Sequence, residues 1–134
     1  MNARIPKLNP LPSLPNSRQQ LGMLGENYAA EYLQKSGYLI ISRNFKARYG
    51  ELDIIAKKQR ILVFVEVKTR ADESFGKPEE AVTPRKLHEL KKTAAYYCMK
   101  NHLETAEQRI DVIGIEMEIS GKIIYFRHIE NVTV

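Results

Sequence analysis

Three charged residues interrupt two neighbouring apolar runs of the sequence. Asp53 lies in the run 51–56, and Glu66 and Lys68 lie in the run 61–68. Both runs are rich in the β-branched and aromatic residues that are typical of strands. Because two buried carboxylates repel each other, a cation must neutralise them, and oxygen ligands select Mg²⁺ or Mn²⁺ rather than Zn²⁺. A lysine beside such an ion would orient a water molecule and stabilise charge on a phosphate under attack.

The turn between the two runs decides whether the charged side chains meet. An even number of turn residues places Asp53, Glu66 and Lys68 on one face, whereas an odd number places Asp53 on the other. A two-residue turn at 59–60 sets Asp53 directly opposite Glu66, and a turn at 58–59 makes them diagonal neighbours, about 7–8 Å apart and within reach of one cation. In the even case the other face of the hairpin is apolar and suited to packing under helices: Leu52, Ile54, Val63, Val65 and Val67.

A simpler interpretation of the same residues needs no site. Asp53 would end a strand, and Glu66 and Lys68 would form an exposed pair at a sheet edge, because short motif matches are common by chance. Both carboxylates, however, lie on adjacent apolar strands. This placement raises the weight of the functional interpretation until it equals that of the structural one.

A further carboxylate lies in the helix predicted for residues 17–36, which ends at Gly37 as a C-cap. At 100° per residue, Glu26 falls between Leu33 and Ala30 on the apolar arc of this helix. A carboxylate on a buried arc needs a partner. Either the fold supplies one, or Glu26 reaches solvent or a neighbouring lysine.

These residues resemble a known family. Asp53 together with Glu66-Val67-Lys68 is similar to the core motif of the PD-(D/E)XK nucleases, although Leu52 stands where the superfamily name has proline. More closely, the sequence resembles the YraN-like family of predicted endonucleases, which are related to archaeal Holliday-junction resolvases. The resemblance covers roughly residues 21–115 and is carried by six segments: GENYA at 25–29, GELD at 50–53, VFVEVKTR at 63–70, Phe75-Gly76, EAV at 80–82 and RIDV at 109–112.

The resemblance implies a metal-dependent endonuclease that hydrolyses DNA phosphodiester bonds and selects its substrate by structure, as in branched DNA. Glu26, Asp53 and Glu66 would hold Mg²⁺ or Mn²⁺, with the carbonyl of Val67 as a further ligand. Lys68 would position the attacking water. Junction cleavage would suggest a homodimer, because a junction has two-fold symmetry.

The amino-acid composition limits which classes of protein the chain can belong to. With 134 residues and 43% hydrophobic content, the chain suits one domain with a single core. A net charge of +5 favours a polyanionic partner such as nucleic acid. The single cysteine, Cys98, excludes an intrachain disulfide. No stretch is long enough to cross a membrane and no apolar signal region begins the chain, so we expect a cytoplasmic protein without a membrane partner.

The rest of the chain supplies the frame of the site. Residues 1–16 hold four of the six prolines and predict a disordered basic arm, followed by a nuclease-like domain at 17–134. A second helix begins at Thr83-Pro84, with threonine as N-cap, and runs to residue 100. Strands are expected at 38–45, 51–56, 61–68, 109–118 and 122–127. The predicted fold is a restriction-endonuclease-like α+β domain of order αβββαββ, in which a mixed central sheet is flanked by helices.

Basic residues in this frame are candidates for contacts with a phosphate backbone: Arg43, Lys46, Arg48, Arg70 and Lys86. Lys86 falls in the first turn of the second helix, where the positive helix end adds to its charge. Solvated loops and an exposed helix face explain such residues equally well. The alternative function is therefore a non-catalytic nucleic-acid-binding module, and a protein adaptor that uses a hydrophobic edge is a third interpretation.

Overall fold

The structure is a computed structural model that describes residues 5–8, 18–71, 76–118 and 120–132. The predicted order αβββαββ is confirmed, and each predicted helix or strand ends within two residues of the observed one. A short 3₁₀ helix lies between the third strand and the second helix, where the sequence predicted neither helix nor strand, and residues 72–75 of this segment fall outside the described residues. The elements in order are α1 (Arg18–Lys35), β1 (Leu39–Ala47), β2 (Gly50–Lys58), β3 (Ile61–Arg70), the 3₁₀ helix (Pro78–Ala81), α2 (Pro84–Lys100), β4 (Gln108–Met117) and β5 (Ile123–Ile129).

The five strands form one mixed sheet in the order β1-β2-β3-β4-β5. Only the central pair, β3 with β4, is parallel within this sheet, and the other neighbours are antiparallel. Since α2 connects the two parallel strands, the sequence prediction that these strands share a sheet is confirmed. The predicted α+β class, with a mixed sheet flanked by helices, follows from the same topology.

The two helices pack on opposite faces of the sheet. On the α1 face, Tyr28 and Leu33 bury strand residues such as Val65. On the α2 face, Leu90 and Tyr97 bury strand residues such as Phe64. The alternation of the hairpin predicted these two faces for most of β2 and β3.

One face assignment was wrong. Leu52 was predicted to share a face with Ile54, but Leu52 belongs to the α2 cluster and Ile54 to the α1 cluster. The partner strand changes face at the same level, because Phe45, opposite Leu52, also packs against the α2 cluster. Between them, Asn44 has a left-handed backbone with φ of 55°. Such a residue interrupts the regular alternation of a strand, and the sequence pattern does not reveal it.

Local chemistry fixes the helix ends. Gly37 adopts a φ of 94°, and the N–H of Tyr38 donates to the carbonyl of Leu33 at 2.9 Å, which closes α1 as predicted. At the start of α2, the Thr83 hydroxyl accepts a hydrogen bond from the N–H of Lys86 at 3.2 Å. This cap holds Lys86 in the first turn of the helix.

Residues 5–8, the described part of the predicted N-terminal arm, lie against α1. The Tyr28 hydroxyl donates to the carbonyl of Pro6 at 3.1 Å, and Leu8 packs against the α1 cluster. The rest of that arm is outside the described residues, so the division at residue 16 stays a prediction. In the part of the chain that the structure describes, no helix is both long enough and apolar enough to cross a membrane.

Candidate active site

The β2–β3 hairpin brings the two predicted carboxylates together. Lys58 pairs with Ile61, so the turn consists of residues 59 and 60, the first of the two even turns considered above. The register continues to Ile54 opposite Val65. Beyond this pair, the Asp53 and Glu66 carboxyl groups are hydrogen-bonded to each other, while their position directly opposite each other in the register stays a prediction.

Asp53 is anchored to β3 through its side chain. Its Oδ2 accepts a hydrogen bond from the backbone N–H of Val67 at 2.8 Å. Val67 lies between Glu66 and Lys68, so this bond holds the Asp53 carboxylate at the level of both. The contact concerns the N–H of Val67, and its carbonyl as a metal ligand stays a prediction.

Glu66 is buried, with 5% of its surface exposed. Its pKa is raised to about 8, because burial, the Asp53 charge and a hydrogen bond with the Asp53 carboxyl all favour the protonated form. Lys86 and Lys68 oppose this shift, and the Lys86 ammonium lies 3.7 Å from Glu66 Oε2. Two carboxyl groups that share a proton form the kind of negative pocket that a divalent cation would neutralise.

Glu26 is also buried, but it has partners of its own. Its Oε1 accepts hydrogen bonds from Arg43 Nε at 3.0 Å and from Asn44 Nδ2 at 3.1 Å. Burial and then the Asp53 charge raise the pKa of Glu26, while Arg43 and Asn44 lower it. Since both bonds use Oε1, Oε2 is the oxygen that Glu26 would offer to a cation.

In the described residues, no three acidic, histidine or cysteine side chains are grouped closely enough to hold a metal ion. The donor set therefore consists of the Asp53–Glu66 pair, with Glu26 held on the α1 side by Arg43. Two carboxylates with oxygen donors fit Mg²⁺ or Mn²⁺, which also keep several water ligands in many protein sites. The participation of Glu26 in such a site stays a prediction.

Lys68 borders an open cleft of about 550 Å³ at the end of β3. Val67, Thr69 and Arg70 line the same cleft, and α1 contributes Arg18 to its wall. α1 approaches β3 closely at this point, because any side chain at position 25 would overlap Thr69. The glycine before Glu26 thus sets how near α1 lies to the site.

The structure separates the five basic residues that were predicted to contact phosphates. Lys86 lies beside Glu66 of the carboxylate pair, and Arg70 lines the cleft. Arg43 binds Glu26 and also donates to Asn27 Oδ1 at 2.6 Å. Lys46 and Arg48 are exposed near the tip of the β1–β2 hairpin.

Sequence reasoning did not anticipate two residues around the site. Asn44, which binds Glu26, gave no signal except that asparagine tolerates a left-handed backbone. Glu79 is buried in the 3₁₀ helix above Gly114, the residue of β4 that pairs with Lys68. The Glu79 carboxylate accepts hydrogen bonds from the Tyr125 hydroxyl and from Arg127 Nη1, the latter at 3.3 Å.

The RIDV segment forms a separate buried network on the α1 face. Asp111 is fully buried and accepts hydrogen bonds from Arg109 Nε at 3.0 Å and from the N–H of Asn131 at 2.9 Å. His128 Nε2 lies 2.8 Å from its other oxygen, and His128 Nδ1 lies 2.8 Å from the Tyr32 hydroxyl. Although burial alone would raise it, the pKa of Asp111 is lowered by its bonds to His128, Arg109 and Asn131.

Residues 25–115 match the family described as "Uncharacterised protein family UPF0102". This segment spans more than half of the 134-residue chain and contains both the carboxylate pair and Asp111. The chain belongs to the UPF0102 family. The predicted resemblance to the YraN-like family is thereby confirmed at the level of family membership.

Curated relatives of the UPF0102 family cover nearly the same length. A "UPF0102 protein" of Syntrophomonas wolfei is 51% identical over 100 residues, which are 75% of this chain and 87% of the relative. One of Trichlorobacter lovleyi is 43% identical over 122 residues, 90% of this chain and 95% of the relative. One of Caldicellulosiruptor saccharolyticus is 40% identical over 115 residues, 86% and 98% of the two chains.

Among solved structures, the chain is similar to "The structure of Pyrococcus Furiosus SfsA in complex with Ca2+". The TM-score is 0.41 and the identity 19%, over 83% of this chain and 63% of the other. An overlap of this extent leaves much of the two backbones unmatched. Function therefore has to follow from the side chains of the UPF0102 site itself.

Proposed function

We propose that this protein is a metal-dependent endonuclease that hydrolyses phosphodiester bonds in DNA. The observation that carries the proposal is the contact of the Asp53 carboxyl with buried Glu66, beside Lys68 and Lys86. A structural ion pair would place one acid against one base, whereas here two acids face each other and raise the pKa of Glu66 to about 8. Strongly perturbed carboxyl groups next to an open cleft favour a functional site.

Asp53 and Glu66 would hold Mg²⁺ or Mn²⁺, with Glu26 Oε2 and the Val67 carbonyl as further candidates. When bound, the cation supplies a Lewis acid for the phosphate and lowers the pKa of a coordinated water. The Val67 N–H orients Asp53 through its 2.8 Å hydrogen bond. Lys68 donates hydrogen bonds to the attacking water and stabilises the charge that builds on the phosphate.

Basic residues around the pair would bind the substrate. Arg18 and Arg70 line the cleft beside Lys68, and Lys86 lies in the first turn of α2, where the helix dipole strengthens its attraction for phosphate. Water attacks phosphorus, the bond from phosphorus to one ester oxygen breaks, and the products carry a phosphate and a free hydroxyl. We expect selection by substrate structure, with branched DNA preferred and a homodimer as the active species on junctions.

The test is cleavage of labelled branched and linear DNA of the same sequence, with Mn²⁺, with Mg²⁺ and with a chelator. The wild-type protein should cut in either metal and stop in chelator, and Asp53→Asn should be inactive under all conditions. Cleavage that survives both the chelator and Asp53→Asn would disprove the assignment of the site.

The second candidate is a binding module that keeps the fold without catalysis. It is favoured by Glu26, whose hydrogen bonds to Arg43 and Asn44 occupy one of its oxygens in a site that would need it as a third ligand. Under this alternative, DNA binds in chelator, no metal promotes cleavage, and Asp53→Asn leaves affinity unchanged.

A further inference from the structure

A second pocket lies at the tip of the β1–β2 hairpin, where the hairpin meets α2. Its volume is about 330 Å³, and it is separate from the cleft at Lys68. A Cβ atom at Gly50 would lie 3.0 Å from Thr93 Oγ1, so the glycine permits the close approach of hairpin and helix that forms the pocket. The pocket is lined by Ala47, Arg48, Tyr49, Lys92, Thr93 and Tyr96.

Two aromatic side chains of this pocket are exposed to solvent. Tyr49 is 65% exposed and Tyr96 is 42% exposed, whereas Tyr97, the next residue of α2, is buried in the core. Tyr96 also contacts Phe45, with ring centroids 6.3 Å apart. One side of the pocket is therefore fixed to the core, whereas Tyr49 on the other side is largely exposed.

Two cations accompany the exposed Tyr49 ring. The Arg48 guanidinium lies 5.4 Å and the Lys92 ammonium 5.7 Å from its centroid. Both side chains are on the surface, and neither forms a salt bridge with an acid in the described part of the chain. An aromatic face flanked by two positive charges matches a nucleotide, which combines a flat base with a phosphate.

We propose that this pocket binds an unpaired nucleotide, with its base stacked on Tyr49 and its phosphate between Arg48 and Lys92. The proposal rests on the proposed function in one respect: it takes nucleic acid as the substrate. Single-stranded nucleic acid is commonly bound in this way, by aromatic rings beside a positively charged path for the backbone.

The pocket and the carboxylate pair lie on the same side of the sheet. The Glu66 carboxylate contacts Lys86 of α2, and Lys92 of the same helix lines the pocket. Six residues of helix separate these lysines, about 9 Å at 1.5 Å per residue. Along the chain, Tyr49, just before β2, and Asp53 are four residues apart, at most about 14 Å at 3.4 Å per residue. Both paths are short enough for one nucleic-acid strand to contact the pocket and the pair.

This arrangement gives a physical basis for selecting substrate structure. A base inside an intact duplex is already stacked and paired, and its removal costs free energy. A base at a branch point, a flap or a frayed end is free to stack on Tyr49. The pocket would therefore favour DNA that has unpaired nucleotides next to the cut position.

The test uses the full chain in chelator, so that binding is measured without cleavage. Tyr49→Ala should weaken binding of a single-stranded oligonucleotide by about 5- to 100-fold, the usual effect of losing one stacking ring, and leave blunt duplex within twofold. Tyr49→Phe should retain wild-type affinity for the oligonucleotide, because it keeps the ring. Met99→Ala, which removes an exposed apolar side chain in the last turn of α2 that does not line the pocket, is the matched control and should have no effect.

Fluorescence gives a second measurement. Because the chain has no tryptophan, Tyr49→Trp introduces a single reporter, and Met99→Trp provides a control reporter. The oligonucleotide should quench the first and not the second. Lys92→Ala should reduce the salt dependence of binding, and Lys100→Ala, on the same helix, should not.

The possible outcomes separate this proposal from the nuclease. If Tyr49→Ala loses single-strand affinity while no metal supports cleavage, the pocket stands and the nuclease fails. If wild type cleaves but Tyr49→Ala binds both DNA forms normally, the pocket is disproved and the nuclease stands. Equal loss on duplex and single strand would also overturn base stacking, as would a change in oligomeric state caused by Tyr49→Ala without DNA.

Discussion

Two acidic clusters, each with a buried carboxylate, lie on opposite faces of the same sheet, and they are built in opposite ways. On the α1 face, Asp111 receives hydrogen bonds from Arg109 and Asn131 and contacts His128, and its pKa is lowered. On the α2 face, Asp53 and Glu66 face each other, and the pKa of Glu66 is raised. Burial would raise the pKa in both clusters, so their neighbours produce the difference.

The Asp111 cluster stabilises the folded state, whereas the rest of the fold must compensate for the Asp53–Glu66 pair. The Asp111 network connects Tyr32 of α1, Tyr38, β4 and β5 through side chains that have complementary charges and donors. The Asp53–Glu66 pair adds like charges to an apolar sheet, with Lys86 at 3.7 Å as partial compensation. A destabilising pair of this kind is typical of sites that bind a ligand or catalyse a reaction.

The largest expected effect is on DNA cleavage and concerns Lys68, beside the Asp53–Glu66 pair. Lys68→Ala should reduce metal-dependent DNA cleavage by about 100- to 1000-fold, since it removes one group that stabilises charge in the transition state. DNA affinity should change by a few-fold at most, because one charge is a small part of the electrostatic contact. Single-turnover rates and binding curves measure the two quantities. Lys100→Ala is the charge-matched control, and wild-type turnover of Lys68→Ala would exclude Lys68 from the reaction.

The structural cluster should respond to a substitution that conserves shape. Asp111→Asn should lower the free energy of unfolding by about 3 kcal/mol, because it removes the buried carboxylate of the largely buried Arg109 and leaves only the exposed Glu130 as its acidic partner. Urea unfolding at neutral pH gives this quantity. A loss below 0.5 kcal/mol would mean, on the usual scale of surface changes, that the network contributes little to the fold.

The same change from Asp to Asn at position 53 should have the opposite effect on the free energy of unfolding. In chelator, Asp53→Asn should unfold at the same free energy as wild type or higher, by on the order of 1 kcal/mol, because one repelling charge is removed. Millimolar Mn²⁺ should raise the wild-type melting temperature by mass action and move Asp53→Asn less. If Asp53→Asn is clearly destabilised in chelator and wild type does not respond to Mn²⁺, Asp53 is a structural acceptor for the Val67 N–H.

The smallest effects are slopes of stability against pH. Glu66 binds its proton more tightly in the folded state than in the unfolded state. Its contribution to the free energy of unfolding is therefore full below about pH 4.5 and is lost as the pH rises through about 8. Asp111 binds its proton less tightly in the folded state, so its contribution is present above about pH 4 and is lost as the pH falls below that value. Unfolding of chelated protein between pH 3 and 9 measures both. Glu66→Gln should flatten only the alkaline limb, and a flattened acid limb would contradict the assignment.

Much of the candidate site was accessible from the sequence because it depends on local register. The turn at 59–60 and the alternation of two adjacent strands were sufficient to bring Asp53 and Glu66 together. The threonine and proline at the start of α2 placed Lys86 in its first turn. These features depend on neighbours in the chain, where periodicity and capping preferences are informative.

The remaining features depend on contacts between distant segments. The left-handed backbone of Asn44 moved Leu52 to the other face and supplied a partner for Glu26, yet nothing in the sequence around it specifies that conformation. Asp111 was visible as part of a motif, but its partner His128 lies in another strand. Glu79 lay in a segment for which the sequence predicted neither helix nor strand, and its burial results from the 3₁₀ helix that covers Gly114.

The two-residue β2–β3 turn has a consequence for folding kinetics. Hairpins of this type form in about 1–10 μs, whereas the parallel pairing of β3 with β4 must first close a chain segment that includes α2. The Asp53–Glu66 repulsion is therefore present in the earliest structure that forms, before α2 brings Lys86 to it. We expect Asp53→Asn to refold faster than wild type in chelator and to unfold at a similar rate, as stopped-flow measurements would detect.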